Sequence, residues 1–424
     1  MFEDADVPPY KACKGQRSKV GSMVVRKLPA GPLDHGKLAF TSGLCVYLPP
    51  GYAKSGLRYP VLYLLHGGGD DQSDWVTLGR IQEIADRAYT EDENNAVIVV
   101  MPDGTSDAGW FDAYDARYLN ERYVLRYVIP YIDRHYRTIA DRRGRVIDGL
   151  SNGGHGALHL AAKAPDVFVA AGSMSGNLGF RGDDSAQGGD DSPAYKEGTL
   201  PAPLAQNLDG IDIVMDIGSE CFTDIAIDLC VGWAFEQSFR ADNEYFVRRM
   251  AEVKHKGVLD YRPTEGGHAW RWWRTWLDDR HLPFLLERAA DPQKISAPVR
   301  HSAPRYPFRY RSVLKRFSVY GWDVTVTRRD AREFLDLTNV DRRGFTAKGS
   351  GTVRVRTPAL YTPGKRYAMP NAMRRTVTAD RTGRLTVDVD LGPSHAFEDA
   401  SYQGRALSND PGYWTIKRID VRAA

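Results

Sequence analysis

Val146-Ile147-Asp148-Gly149-Leu150-Ser151-Asn152-Gly153-Gly154 is the stretch of sequence that decides the fold. A short β-branched run ends in a pentapeptide of the form G-x-S-x-G, and the Ala- and Leu-rich segment His155–Ala164 follows it. This pattern predicts a strand, a tight turn and a helix. A serine on such a turn has a strained backbone and a hydroxyl clear of the sheet, and the flanking glycines avoid collisions of a Cβ with neighbouring elements.

Strand and helix patterns alternate between residues 60 and 280. The alternation predicts an α/β fold with right-handed crossovers and a mostly parallel sheet, in which functional groups gather at the carboxyl ends of the strands. The predicted strands are Leu44–Leu48, Val61–Leu65, Ala96–Met101, Arg145–Asp148, Phe168–Ser173, Ile211–Asp216 and Val258–Arg262. The predicted helices are Arg80–Tyr89, Leu119–Tyr136 with a kink at Pro130, His155–Ala164, Ala241–His255 and Trp270–Leu277.

Short alternating runs separated by turn signals replace this pattern towards the C-terminus. They predict the strands Val319–Val326, Glu333–Leu337, Gly351–Arg356, Arg384–Val389 and Tyr413–Val421. We therefore predict a first domain at residues 1–295 with an N-terminal arm, a linker at 296–312, and an all-β, immunoglobulin-like sandwich at 313–424.

The composition argues against two classes of protein. The chain of 424 residues has a formal net charge of +3 and 26% charged residues, which is no excess for binding a polyanion. A basic cluster between Arg300 and Arg316 is interleaved with aromatic residues, but we interpret it as a solvated linker, so no nucleic-acid partner is predicted. No run of about 18 apolar residues exists, so we predict no membrane span.

The four cysteines indicate the cellular compartment in which the protein works. Cys13 and Cys45 lie in the N-terminal segment, and Cys221 and Cys230 lie in one predicted loop, so we predict two local disulfides. We therefore expect an exported protein, and a cytoplasmic protein with free thiols is the alternative. The acidic N-terminus shows no signal peptide.

A serine nucleophile needs a base within hydrogen-bond reach, and the base needs an orienting carboxylate. His268 is the candidate base, because it follows the last predicted parallel strand on a Gly266-Gly267 turn. No pair of histidines has a metal-ligand spacing with a third ligand nearby, so neither a metal nor another cofactor is predicted. We place the other histidines as follows: His155 and His159 on the helix after Ser151, and His135, His255 and His281 at surface helix positions.

The carboxylate is harder to identify. In a sheet of this kind it belongs after the predicted strand Ile211–Asp216. Periodicity does not choose among the carboxylates in the segment that follows, which are Glu220, Asp224, Asp228 and Glu236.

A second glycine-rich turn, His66-Gly67-Gly68-Gly69, follows the predicted strand Val61–Leu65. Glycine lets the backbone approach a substrate carbonyl closely, and a turn of this type supplies an N–H donor to an oxyanion. We predict that the backbone N–H groups of Gly68 and Asn152 form the donor pair.

Five motifs in this order resemble the esterase family of α/β-hydrolases, which contains feruloyl and acetyl-xylan esterases, S-formylglutathione hydrolases and mycolyltransferases. The resemblance covers roughly residues 40–285. The motifs are His66-Gly67-Gly68-Gly69, Met101-Pro102-Asp103-Gly104, Ile129-Pro130-Tyr131-Ile132-Asp133, Gly149-Leu150-Ser151-Asn152-Gly153-Gly154 and Gly267-His268-Ala269-Trp270.

The resemblance also bears on the acid. Feruloyl-esterase-like members place an Asp three residues after the glycine that ends the seventh strand, whereas here that glycine is Gly218 and the position holds Cys221. Residues 235–243 are instead similar to the mycolyltransferase segment that carries a catalytic Glu, which favours Glu236. Glu220 and Asp224 remain the alternatives.

The resemblance implies a serine esterase acting on carboxylic esters, including acyl groups on carbohydrates or polysaccharides. Ser151 would attack the carbonyl, His268 would relay the proton and Glu236 would orient His268. Aromatic side chains predicted to wall the site are Trp110, Tyr114 and Trp270. An acyltransferase that delivers the acyl group to a sugar hydroxyl is the alternative, and a non-catalytic binding protein on the same scaffold is the second alternative.

Overall fold

The computed structural model describes residues 13, 21–27, 43–104, 109–112, 118–178, 204–220, 233–291, 304, 307–329, 333–394 and 413–424. These residues form two compact units. The first unit holds the described residues up to 178 together with 210–291. The second unit holds residues 204–209 together with the described residues from 304 onward.

The first unit is built on an eight-stranded sheet. Its strands are β1 (Ser22–Lys27), β2 (Gly43–Leu48), β3 (Val61–Leu65), β4 (Ile98–Pro102), β5 (Arg145–Gly149), β6 (Ala170–Met174), β7 (Asp212–Glu220) and β8 (Leu259–Glu265). They lie in the order β1-β2-β4-β3-β5-β6-β7-β8. The pairings of β1 with β2 and of β2 with β4 are antiparallel, and all others are parallel. The predicted mostly parallel sheet is confirmed.

Continuous apolar runs account for the central strands. Every residue of β3, β4 and β5 is buried, as expected for strands with both faces covered. The helices are α1 (Asp74–Thr77), α2 (Ile81–Glu91), α3 (Asn120–Tyr123), α4 (Ile129–His135), α5 (Asn152–Lys163), α6 (Trp233–Glu252), α7 (Trp270–Trp276) and α8 (Leu282–Arg288). Within the described ranges, no helix combines the length and the apolar character needed to cross a membrane.

The irregularity predicted at Pro130 takes the form of a π turn. The chain runs from α3 through the π-helical segment Val124–Val128 into α4, and Pro130 lies in the first turn of α4. Proline has no N–H to donate to the preceding turn, and the π-helical segment replaces the regular i→i−4 ladder at this point. The same arrangement recurs where the π-helical segment Leu277–His281 leads into α8, whose first turn contains Pro283.

One predicted disulfide is confirmed. Cys13 and Cys45 are bonded, with their Cα atoms 6.2 Å apart. Cys45 lies in β2 and Cys13 is buried, so the bond fastens Cys13 to the central sheet. Cys221 and Cys230 lie outside the described residues.

The second unit is all-β, as predicted. Its strands are β9 (Phe308–Ser312), β10 (Arg316–Val319), β11 (Trp322–Thr327), β12 (Leu335–Asp341), β13 (Gly344–Gly349), β14 (Thr352–Arg356), β15 (Arg366–Ala368), β16 (Thr376–Thr378), β17 (Thr386–Asp390), β18 (Thr415–Asp420) and β19 (Arg422–Ala423). They form antiparallel sheets in the orders β10-β11-β14-β17, β18-β13-β12-β9 and β16-β15-β19. The two four-stranded sheets share one hydrophobic core. The immunoglobulin-like arrangement stays a prediction.

Two details of this unit differ from the prediction. The segment 296–312, predicted as a linker, contains β9, in which Phe308 and Tyr310 are buried in the core and alternate with half-buried arginines. The segment Val319–Val326, predicted as one strand, is a hairpin of β10 and β11. Tyr320 and Gly321 join the two strands with φ of 50° and 77°, which is the backbone of a type I′ turn.

His281 is buried, so its predicted place on a helix surface is wrong. Its Nδ1 lies 2.9 Å from Asp148 Oδ2 and its Nε2 lies 3.0 Å from Asp216 Oδ2. Arg280 forms an ion pair with the same carboxylate of Asp216. Burial alone lowers the pKa of His281, but the two carboxylates outweigh it and raise the pKa to about 9. The predicted helix ends at Leu277, whereas the chain continues through the π-helical segment Leu277–His281 into α8. Leu277 and Leu285, four residues before and after His281, are both buried, so His281 lies on the buried side.

We expect His281 to make the stability of the first unit depend on pH. Its pKa is higher in the folded protein than in the unfolded chain, so its stabilising contribution is complete below about pH 6.5 and is lost as the pH rises through about 9. Urea unfolding across this window should show a loss on the order of 3 kcal/mol. His281→Gln should remove most of this dependence, and His135→Gln, at an exposed position of α4, should keep it. Equal pH dependence in all three proteins would contradict the assignment.

Candidate active site

The turn between β5 and α5 holds Ser151 in a strained conformation. Its φ and ψ are 52° and −119°, in a region that L residues rarely occupy. The Ser151 N–H donates to the carbonyl of Met174 at the end of β6, over 2.8 Å. The neighbouring sheet therefore holds the backbone in place and leaves the side chain at the carboxyl edge of the sheet.

Close approach to the backbone requires the glycines on either side. A Cβ at Gly153 would lie 2.4 Å from the carbonyl oxygen of Leu65 and 2.5 Å from that of His66. A Cβ at Gly149 would lie 2.5 Å from the backbone of Gly153. The turn that presents Ser151 is therefore compatible with glycine at both positions and with no larger residue.

His268 lies beside Ser151 although 117 positions separate them in the chain. Its Nε2 is 3.0 Å from Ser151 Oγ. The imidazole follows β8 and contacts the edges of two rings, Phe239 with centroids 5.4 Å apart and Trp273 with centroids 4.9 Å apart. These contacts restrict the orientation of the imidazole.

The other nitrogen of His268 contacts Glu236. Its Nδ1 is 2.8 Å from Glu236 Oε2, and Glu236 is fully buried in the first turn of α6. The second oxygen, Oε1, accepts hydrogen bonds from the Gly218 N–H at 2.8 Å and from the Ser175 hydroxyl at 2.7 Å. A buried carboxylate with three donors is held in one position.

Ser175 is a residue that the sequence analysis does not single out. It is buried, has φ of 49°, and accepts a hydrogen bond from Trp273 Nε1 at 2.9 Å while donating to Glu236. The sequence feature that points to Ser175 as a functional residue is its position directly after β6, at the sheet edge where functional groups gather. Many residues have such a place, so the signal alone does not select Ser175.

The two residues predicted as oxyanion donors, Gly68 and Asn152, are in contact through the Asn152 side chain. A Cβ at Gly68 would be 2.8 Å from the Asn152 side-chain amide nitrogen, so Gly68 lies against the Asn152 side chain. Asn152 is the first residue of α5, where the backbone N–H groups have no partner within the helix. The Asn152 N–H is therefore the predicted donor to a ligand beside Ser151.

His66 fixes the shape of the glycine turn. Burial lowers the pKa of His66 to about 4, so the ring is neutral at pH 7. Its Nδ1–H donates to the Gly67 carbonyl at 2.8 Å, and its Nε2 accepts from the Gly104 N–H at 2.9 Å. The Gly67 N–H donates to Asp70 at 3.1 Å, and burial raises the pKa of Asp70 to about 7.

The remaining predicted site residues differ in their placement. Trp110 is only 1% exposed and donates its Nε1–H to the His66 carbonyl at 3.1 Å, so it supports the glycine turn; its place in the wall of the site stays a prediction. Trp270 is half-buried and packs edge-on against Trp75 and Trp273. Only the backbone of Glu220 is described, at the end of β7. Tyr114 and Asp224 lie outside the described residues.

A family model described as "Putative esterase" matches residues 41–284, more than half of the chain. The chain is 38% identical over 150 residues to an esterase of Mycobacterium tuberculosis, in a region that covers 34% of this chain and 31% of that protein. It is 36% identical over 141 residues to an endo-1,4-beta-xylanase/feruloyl esterase of Xylanibacter ruminicola, covering 31% of this chain and 19% of the relative. The matched region thus spans about a third or less of these relatives.

Two further likenesses extend over more of the chain. Diacylglycerol acyltransferase/mycolyltransferase Ag85A of Mycobacterium tuberculosis is 25% identical over 284 residues, which are 58% of this chain and 79% of the relative. A solved structure of a ferulic acid esterase superposes with a TM-score of 0.51 at 24% identity, over 63% of this chain and 99% of that one. With the sheet order above, this confirms the α/β-hydrolase-type fold of the first unit.

We expect Gly153→Ala to destabilise the first unit, because the added methyl group meets two backbone carbonyls that cannot move independently of β3. The loss should be about 1–3 kcal/mol, as for overpacked cores. Gly56→Ala is the matched control, since a Cβ at Gly56 meets no atom within 4 Å. Urea unfolding of the two variants measures the difference, and equal unfolding free energies would contradict the close approach at Gly153.

Proposed function

The chain belongs to the esterase family, and on that premise we propose that it hydrolyses carboxylic esters through a serine nucleophile. One observation carries the proposal: a continuous hydrogen-bonded chain from Ser151 Oγ to His268 Nε2 at 3.0 Å and from His268 Nδ1 to Glu236 at 2.8 Å. A nucleophile, a base and an orienting acid in this relation are the requirement for acyl transfer through serine.

In the proposed reaction, Ser151 Oγ attacks the ester carbonyl as its proton passes to His268 Nε2. The carbonyl oxygen becomes an oxyanion, which the N–H groups of Gly68 and Asn152 stabilise. The intermediate collapses when the leaving alkoxide takes the proton from Nε2, and an acyl-enzyme remains. Water then repeats the sequence and releases the acid and the free Ser151 hydroxyl.

Glu236 serves this reaction by fixing His268. Its carboxylate accepts the Nδ1–H, so the lone pair of Nε2 is directed at Ser151. Ser175 and Gly218 donate to the other oxygen and hold the carboxylate in position. The negative charge of Glu236 also stabilises the imidazolium that forms in each half-reaction.

For the substrate class we propose esters of carbohydrates, because relatives of this chain carry the names feruloyl esterase and mycolyltransferase. Trp270 remains the candidate for an aromatic wall, since it follows His268 by two residues and is half-buried. The Cys13–Cys45 disulfide supports the proposal that the enzyme works in an oxidising compartment outside the cytoplasm.

A second candidate function is acyl transfer to a sugar hydroxyl. The likeness to mycolyltransferase Ag85A, over 79% of that protein, favours it. Transfer and hydrolysis use the same three residues and differ only in whether an alcohol or water attacks the acyl-enzyme.

We expect Ser151→Ala and Glu236→Gln to abolish or strongly reduce turnover of p-nitrophenyl acetate. For Glu236→Gln the loss in kcat should be about 10³–10⁴-fold, because an amide no longer selects the productive tautomer of His268. Glu244→Gln is the matched control, since Glu244 lies on the same helix and pairs with Arg240. No turnover by the wild-type protein across short-chain esters would support the non-catalytic binding protein. Full activity of Glu236→Gln would exclude Glu236 as the orienting acid.

Partition of the acyl group tests hydrolysis against transfer. With p-nitrophenyl acetate as donor, we expect free acetate as the product whether or not trehalose is present, because hydrolysis is the proposed function. The measurement is the yield of acetate and of acetyl-trehalose at equal consumption of the donor. A fall in acetate matched by acetyl-trehalose would replace hydrolysis with transfer.

A further inference from the structure

The net charge of +3 conceals a separation of charge along the chain. Residues 301–424 contain 23 Lys and Arg against 12 Asp and Glu, a formal net charge of +11. Residues 1–300 contain 34 basic against 42 acidic residues, a formal net charge of −8. Such asymmetry is typical of a protein in which one part attracts a polyanion.

The small sheet β16-β15-β19 of the second unit has one face in the core and one in solvent. Tyr367 and Val377 lie on one face and pack against the hydrophobic core. Arg366 and Thr378 are register partners on the other face, and both are exposed. Arg422 shares this outward face, because it pairs with Ala368 two positions along β15. Arg366 and Arg422 are therefore diagonal neighbours, roughly 7–8 Å apart.

The connection between β15 and β16 adds two cations beside this face. Arg374 and Arg375 are exposed, and the Arg375 carbonyl accepts from the Met369 N–H at 2.7 Å, which extends the hairpin. Lys365 is exposed at the other end of the hairpin, where its carbonyl accepts from the Ala379 N–H at 3.0 Å. The sheet and its connection thus present five cations, which we call the basic face: Lys365, Arg366, Arg374, Arg375 and Arg422.

Within the described part of the second unit, carboxylates neutralise little of the basic face. Among the described residues, none forms an ion pair with Arg366, Arg374 or Arg375. Asp420 lies 3.8 Å from Arg422 but is shared with Arg418 at 2.9 Å. Asp380 pairs with Arg356 on the neighbouring sheet and accepts hydrogen bonds from its own turn. The face therefore keeps a positive charge that an anionic partner would complement.

We propose that the basic face binds an acidic polysaccharide, with the arginines and Lys365 on its carboxylates and the exposed threonine hydroxyls on its sugar hydroxyls. Nucleic acid fits less well, because Tyr361 and Tyr367 contact each other with centroids 5.0 Å apart and pack on the core, so they offer no ring for base stacking. A lipid surface fits less well too, because Met373 is the single large exposed apolar side chain beside these cations in the described part of this hairpin.

The test is affinity electrophoresis of the full chain in gels containing polygalacturonate, at about 50 mM and about 300 mM NaCl. Fully methyl-esterified polygalacturonate is the uncharged control polymer. The test variant carries Arg366→Gln, Arg374→Gln and Arg375→Gln. The matched control carries Arg126→Gln, Arg134→Gln and Arg248→Gln, which removes the same charge from exposed positions of the first unit. Each protein is also prepared with Ser151→Ala, so that binding is measured without turnover.

We expect the wild type and the matched control to be retarded by polygalacturonate at low salt and released at high salt. The test variant should bind at least about tenfold more weakly, with a shallower dependence on salt. Each lost contact between a cation and a carboxylate of the polymer lowers the number of counterions that binding releases. Circular dichroism and urea unfolding that match the wild type show that the test variant is folded, and neither measurement depends on the proposed function.

Three outcomes would overturn the proposal. The first is equal retardation of the test variant and the matched control. The second is equal retardation in the methyl-esterified polymer, which would remove charge as the cause. The third is tighter binding to duplex DNA, or to vesicles of phosphatidylglycerol and phosphatidylcholine, than to polygalacturonate, which would assign the basic face to that partner instead.

Discussion

The proposed chemistry depends on the burial of one carboxylate, that of Glu236. An unpaired buried charge would be strongly destabilising, and Glu236 is stabilised because three donors from three parts of the sheet edge converge on it: His268, Gly218 and Ser175. Since the carboxylate needs these donors, α6 can dock on the sheet in one position only. The position of His268, and with it the contact to Ser151, follows from that docking.

The sequence predicts the elements whose signals are local. Continuous apolar runs predict the buried strands β3, β4 and β5. Ser151 and His268 each lie on a turn that contains glycine and directly follows a strand. Glu236 has no such local signal, because it projects from a helix and its role depends on how that helix docks. Resemblance is therefore what favours Glu236. Ser175 has a local signal, its place directly after β6, but many residues share such a place.

The errors in the prediction have identifiable physical causes. The hairpin at Tyr320 and Gly321 differs from the predicted continuous strand because Tyr is an unusual residue with positive φ. The apolar alternation shifts by one residue between Val319 and Trp322, and this shift is the sequence signal of the turn. The surface position predicted for His281 is wrong because the predicted helix ends at Leu277, whereas the helical chain continues to Arg288 and buries Leu277, His281 and Leu285 at spacings of four. The positive charge of residues 301–424 does not show in the net charge of +3, because the sum over the whole chain cancels it against the excess of acidic residues before them.

The buried ion cluster connects the fold to the site. Asp148 precedes Ser151 by three residues on β5, and Asp216 precedes Gly218 by two residues on β7. His281 contacts both carboxylates, so it joins the strand that presents the nucleophile to the strand that orients Glu236, across the intervening β6. A positive charge between two negative charges resists displacement of either strand. The cluster therefore sets the relative position of β5 and β7, on which the contact between Ser151 and His268 depends.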